Sequence, residues 1–354
     1  MAIVYIIEQG AFINKEGQRL LVKKNGKLIH AIHIFKLKQL ILYGNISLTP
    51  PVISLLLREC IDTAFMSLHG KYLGRLQPPE GKNIILRQLQ YAAFQHESLI
   101  VETARAIVRG KLLNQRNVLM RIQRNRKGLN LQEEILGLKR LIDKANTAQS
   151  LDTVRGYEGK GSALYFKGFS NGFLGKDITF TTRQRRPPKD PVNAILSLGY
   201  TLLYNTLLAT VYLVGLDPYL GALHAVDYGR PSLSLDLMEE WRPIIVDTLV
   251  LSVFNLKSLT AEDFNTKDKL YSDESTESKK MKNQSLESAD LPVCLTETGF
   301  RKFLIQFERK MAQKVRYHLT GKEISYRDCI QEQVRHFARY IKGDDKEYVP
   351  MPYR

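Results

Sequence analysis

The 354-residue chain carries 52 Lys and Arg against 36 Asp and Glu, a formal net charge of +16 at pH 7, and is 44% hydrophobic. That length and apolar content suit two packed domains rather than one small core, and the excess of cations points to a polyanion, either nucleic acid or an anionic membrane. Cys60, Cys294 and Cys329 are far apart, which excludes a paired-cysteine metal site and fits a reducing, cytoplasmic compartment, and the stretch from Met1 to Glu8 lacks the basic leader of a secretory signal.

Residues 1–77 read as a β-rich domain. Ala2-Ile7, Arg19-Lys23, Leu28-Ile34, Leu40-Tyr43 and Ala64-Ser67 are short apolar or β-branched runs, and Asn25-Gly26 between two of them is a two-residue hairpin signal. Pro51–Glu59 is a short helix opened by prolines. Pro78, Pro79 and Gly81 mark a linker over residues 78–83. From residue 84 the period becomes helical, with Ile85, Leu89, Ala92, Ala93, Leu99, Ile100, Ala104 and Ile107 on one stripe, and the pattern continues through 118–148.

Val192–Leu216 contains no charged residue and is long enough to span a bilayer. Its Asn193, Ser197, Thr201, Asn205, Thr206 and Thr210 favour a buried central helix over a membrane span. Leu256–Leu291 is rich in Lys, Asp, Glu and Ser and reads as a mobile charged insertion centred on 260–290. Helical periodicity returns at 298–319 and 326–341, and residues 346–354 are set apart as a C-terminal tail. The expected fold class is α+β: a small N-terminal β-sandwich-like domain, then a larger, mostly α-helical domain over 84–345.

Three places carry chemistry. Asp236 and Glu239, three apart, project from one helix face, and paired acids repel unless a proton or cation intervenes. They read either as a solvated face or as part of a divalent-metal site. His224 follows the uncharged segment and precedes Gly229-Arg230-Pro231, a turn that could return it to the acidic helix. Imidazole beside carboxylates suits Mn²⁺ or Zn²⁺ and is tolerated around Mg²⁺. Glu158 lies in Arg155-Gly156-Tyr157-Glu158-Gly159-Lys160-Gly161, framed by glycines that permit close backbone approach; it reads equally as a turn glutamate paired with Arg155.

Arg155-Gly-Tyr-Glu158-Gly with Ala163-Leu-Tyr165-Phe166, Pro191-Val-Asn193 through Gly199-Tyr200, Leu223-His224, and Gly229-Arg-Pro-Ser-Leu-Ser-Leu-Asp236-Leu-Met-Glu239-Glu-Trp-Arg-Pro243 form four ordered blocks. Together with Tyr43–Ser47 and Gly70–Arg75, they resemble the CRISPR-associated integrase family, the endonucleases of spacer acquisition. The chain lacks the proline often found after the isoleucine in the region of His30–Ile34, and carries a long charged segment where the family has a short connection.

The resemblance implies a dimerising catalytic domain, with Glu158, His224 and Glu239 as ligands of Mg²⁺ or Mn²⁺ and Asp236 shaping the site. It implies joining of the 3′-hydroxyl ends of double-stranded DNA to CRISPR repeat DNA by transesterification, in a homodimer that works with a small companion adaptation protein (Cas-two). Candidates for DNA contact are Arg121 and Arg124, in the basic run Arg105, Arg109, Lys111, Arg116, Arg121, Arg124, Arg126 and Lys127, then Arg183, Arg185, Arg186, Arg230 and Arg242. Tyr157, Tyr165, Phe166, Tyr200, Tyr204 and Trp241 either pack the core or stack on DNA ends. A general structure-specific repair nuclease and a noncatalytic DNA-binding scaffold are the competing readings.

Overall fold

The structure, a computed structural model, describes residues 2–68, 72–76, 83–175, 178, 180–184, 187–266 and 292–353. The chain divides into two compact units, Met1–Ile84 and Ile85–Arg354.

The first unit holds eight described strands: β1 (Ala2–Ile6), β2 (Ala11–Glu16), β3 (Arg19–Lys24), β4 (Lys27–His33), β5 (Leu37–Tyr43), β6 (Ile46–Leu48), β7 (Asp62–Met66) and β8 (Tyr72–Leu76), with helix α1 (Pro50–Arg58) between β6 and β7. They form two four-stranded sheets, ordered β1-β5-β7-β8 and β4-β3-β2-β6. Central β5 runs parallel to both β1 and β7 and is buried almost throughout, as a strand covered on both faces must be. Strand β2 instead alternates, with Ala11 and Ile13 buried and Phe12 exposed. Ile6, Leu40 and Leu42 of one sheet share a core with Ile13, Leu20 and Val22 of the other and with Val52 and Leu56 of α1, which makes the unit sandwich-like. The expected hairpin joins β3 to β4, with Asn25 and Gly26 both at positive φ. Strands β2, β6 and β8 went unread because polar residues interrupt them; in β8, Arg75 reaches across to pair with Asp62 of β7.

The second unit is mostly helical: α2 (Ile84–Ala93), α3 (Glu97–Asn125), α4 (Gln132–Asn146), α5 (Leu151–Phe169), α6 (Pro191–Val214), α7 (Ser232–Met238), a π-turn (Arg242–Asp247), α8 (Thr248–Asn255), α9 (Glu297–Ala312) and α10 (Tyr326–Lys342). Helices α3, α4 and α5 pack on one another. Side chains at Gly161 and Gly168 would collide with Leu112 and Leu119 of α3, so these glycines set the close approach of α5 to α3. The sequence from Arg155 to Gly161 is therefore helix interior and not a turn. The helix is capped earlier, where the Ser150 hydroxyl accepts from the Thr153 amide.

Helix α6 is long and apolar enough by composition to cross a membrane, and 67% of its most apolar window is buried within the protein. Its hydroxyls bond back to the preceding turn, Thr201 to the Ser197 carbonyl and Thr210 to that of Thr206, which accounts for the polar content of a buried helix. The charged segment begins later than its composition suggests: Leu259 and Asp263 are buried, and Phe264–Thr266 pairs with Val293–Leu295. The remainder of the expected insertion, residues 267–290, lies outside the described residues.

The residues set apart as a C-terminal tail are packed in. Tyr348, Met351 and Tyr353 are buried. The Asn114 amide of α3 donates to the carbonyls of Glu240 and Met351 (2.9 and 2.8 Å), and its oxygen accepts from the Tyr353 amide (2.7 Å). The Glu240 carboxyl accepts from the Tyr348 hydroxyl and the Met351 amide. Loss of Asn114 strands three buried backbone groups, so Asn114→Ala is expected to cost about 3 kcal/mol, read from the urea midpoint; an unchanged midpoint would mean that the strap is not fastened there.

Candidate active site

Asp236 organises the site. Fully buried on α7, it accepts the amides of Ala222, Leu223 and His224 (2.6, 2.9 and 2.9 Å), and His224 Nδ1 donates to its Oδ1 at 2.6 Å. A side chain on Gly221 would lie 2.6 Å from Asp236 Oδ2 and from the Ser232 backbone, so only glycine lets this loop close on the carboxylate. With Nδ1 committed to Asp236, Nε2 lies 3.9 Å from Glu239 Oε1. A carboxylate that fixes the tautomer and orientation of an imidazole in this way is the usual support of a metal-binding histidine.

Glu239 follows α7 in helical conformation and is 2% exposed. Arg242 Nη2 is 3.3 Å from Oε1, and Lys111 Nζ of α3 is 2.6 Å from Oε2. Burial pushes the Glu239 carboxyl up, but Arg242, Lys111 and His224 more than reverse this and hold it at about 2. Its neighbour Glu240, equally buried, has no cation beside it among the described residues, and burial carries its carboxyl to about 8. The Lys111 ammonium also contacts Glu158 Oε1, which accepts from the Ser162 hydroxyl at 3.1 Å. Arg155 does not pair with Glu158. It donates instead to the Leu223 carbonyl at 2.7 Å, tying α5 to the loop that carries His224.

The structure thus links Glu158, Lys111, Glu239, His224 and Asp236 in one chain of contacts. Among the described residues no three of His, Cys, Asp and Glu stand ready as a coordination shell, and the Lys111 ammonium contacts both glutamates. The donors nevertheless suit a divalent cation: two carboxylates and an oriented imidazole.

Beside these residues opens a cleft of about 220 Å³ lined by Lys111, Ser162, Phe166, Arg183, Tyr200 and Arg242. The guanidinium groups of Arg183 and Arg242 lie 5.5 and 4.9 Å from the Tyr200 ring centre. The Tyr200 hydroxyl donates to Asp247 Oδ1 (2.6 Å) and that of Tyr165 to Oδ2 (2.8 Å), so both rings are held as packing and orienting groups, and Trp241 is fully buried.

Of the basic residues proposed for DNA, Arg183 and Arg242 line the cleft, and Arg242 faces a carboxylate. Arg121 packs on Tyr353 and donates to its hydroxyl, Arg124 is exposed on α3, and Arg230 is half-buried. Arg185 and Arg186 lie outside the described residues. Lys111, grouped by composition with the basic face, is 4% exposed and belongs to the site. Its signal was present: Ala104, Ile107, Val108, Leu112, Leu119 and Ile122 form the buried stripe of α3, and position 111 falls on it. A lysine there requires a buried carboxylate partner.

Asp247 gives the site a pH signature. Burial raises its carboxyl to about 6 against the lowering by Tyr200, Tyr165, Arg242 and Lys111. The folded state holds an extra proton between the unfolded value, about 4, and that figure, so this contribution to stability is full below the lower value and fades as pH rises through the interval. Between about pH 4 and 6.5 the wild type is expected to lose about 2 kcal/mol relative to Asp247→Asn in urea unfolding, and parallel curves would contradict the assignment.

The family model described as "CRISPR associated protein Cas1" matches residues 4–281. A "CRISPR-associated endonuclease Cas1 3" of Thermus thermophilus is 32% identical over 356 residues, covering 100% of this chain and 98% of the relative. Among solved structures, a casposase bound to integration product superposes with a TM-score of 0.82 at 24% identity, covering 99% of this chain and 93% of that one. A chain of a Cas6-RT-Cas1–Cas2 complex gives 0.79 at 23%, covering 99% and 36%. At these identities the two superpositions speak to the fold, and the family rests on the sequence matches, which span nearly the whole chain: it belongs to the CRISPR-associated Cas1 family and is a DNA endonuclease of that family.

Proposed function

We propose that the chain joins the 3′-hydroxyl ends of short double-stranded DNA to CRISPR repeat DNA during spacer acquisition, by transesterification with Mg²⁺ or Mn²⁺ held by Glu158, His224 and Glu239. The observation that carries this reading is the buried, ionised Glu239 placed between an oriented imidazole and a lysine shared with Glu158. When bound, the cation would polarise the scissile phosphate and stabilise charge in the transition state.

The protein's own groups divide the remaining work. Asp236 keeps Nε2 of His224 turned toward Glu239, and the imidazole is assigned as a ligand, since coordination would leave that nitrogen no lone pair with which to accept a proton. Arg183 and Arg242 present guanidinium groups to the cleft beside the site, where a phosphodiester would find bidentate donors. Arg121, Arg124 and Arg230 are assigned to backbone contacts farther along the duplex, in keeping with the +16 charge. A Cas2-type companion is part of the proposal, in keeping with the likeness to a chain of the Cas6-RT-Cas1–Cas2 complex, and a homodimer is proposed with it.

The test is a joining assay with a short 3′-hydroxyl duplex and a supercoiled target carrying a repeat. Glu158→Ala, His224→Ala and Glu239→Ala are each expected to lower joining by about 100-fold or more, and chelation to abolish it. Metal-dependent cutting without joined product would favour a structure-specific repair nuclease, and variants as active as wild type would leave only a DNA-binding scaffold.

A further inference from the structure

Lys111 is the cation of the site that contacts both proposed ligand glutamates, and its charge opposes a metal between them. It is buried on α3, its ammonium touches Glu158 and Glu239 together, and with Arg242 it already balances both carboxylates. A divalent cation entering between those glutamates would meet this charge at contact distance in a site with little water to screen it. The backbone beneath Lys111 has no freedom to retreat. Gly110 abuts Pro350 so closely that a side chain there would collide with it, and Asn114, one turn on, is tied to Glu240 and Met351. The side chain, by contrast, borders open space: Lys111 itself lines the cleft that Ser162, Arg183, Tyr200 and Arg242 share.

From this geometry we propose that Lys111 is the resident counter-cation of the metal site, holding Glu158 and Glu239 together in the metal-free protein and swinging into the adjacent cleft when a divalent cation takes its place. The inference rests on the assignment of those glutamates as ligands under the proposed function. Lys111 is in this respect a positioning residue that sets metal affinity by competition. In the cleft its ammonium would face whatever phosphate the neighbouring arginines hold, so that metal entry and backbone binding favour each other.

The experiment is Mn²⁺ titration by calorimetry, without DNA, of the full-length wild type, Lys111→Met and Lys111→Arg, together with thermal unfolding with and without Mn²⁺. Met fills similar volume without charge, so Lys111→Met is expected to bind Mn²⁺ at least about tenfold tighter than wild type. Its metal-free form should melt lower than wild type, and Mn²⁺ should restore it. Lys111→Arg, which retains the charge, should bind no tighter than wild type. If Lys111→Met folds only in Mn²⁺ and unfolds on chelation, the metal has replaced the ammonium, as expected. Lys111→Met binding Mn²⁺ no tighter than wild type, or remaining unfolded in its presence, would overturn the proposal. Glu239→Gln separates this from failure of the underlying site: Mn²⁺ binding equal in wild type and Glu239→Gln would remove the metal assignment itself, and the counter-cation with it.

Discussion

A carboxylate sealed from water stays ionised only beside cations, and around Glu239 the chain has assembled Lys111, Arg242 and the His224 ring for that purpose. The other features of the site follow from keeping this charge. Lys111 must come from the buried stripe of a 29-residue helix, so α3 has to pass directly behind the acidic helix. Glu158 must reach the same ammonium, so α5 has to lie tightly on α3, and the bare glycines at 161 and 168 allow it. His224 must face inward, and the three amides and the ring nitrogen collected by Asp236 leave its loop no other course.

The contrast between Glu239 and Glu240 shows how finely neighbouring residues are sorted by environment. Both are buried acids in a continuous helical turn, yet one is held at about 2 by its cations and the other is carried to about 8. Glu240 serves structure: it fastens Tyr348 and Met351 of the C-terminal strap, while Asn114 fastens the same strap to α3. The proposed metal ligand and the structural glutamate therefore share one backbone, and Asn114 and Glu240 tie the strap to the same region.

Much of this could be read from residue order. The hairpin at Asn25-Gly26, the proline-opened helix α1 and the stripe of α3 are local patterns, and local patterns survive translation into structure. The four blocks around Glu158, Asn193, His224 and Glu239 pointed to the candidate site residues through resemblance to a family, since spacing alone left Glu158, His224 and the Asp236–Glu239 pair open to plainer structural or surface readings. What escaped was whatever depends on a partner distant in sequence. The glycines near Glu158 looked like a turn because their reason, Leu112 and Leu119, lies some fifty residues earlier. Lys111 looked like a DNA contact because its partners lie on α5 and beyond α7. The last residues looked like a tail because their acceptors and donors sit on α3 and at Glu240.

The claim on which the functional reading turns is that Glu158, His224 and Glu239 close around one cation while Asp236 stays behind the imidazole. Anomalous diffraction from crystals soaked in Mn²⁺ measures this directly. The expected map has a single strong peak about 2.2 Å from a Glu158 oxygen, His224 Nε2 and a Glu239 oxygen, with Asp236 still bonded to Nδ1. A peak ligated by Asp236 in place of His224, or no peak between the two glutamates at saturating Mn²⁺, would contradict it.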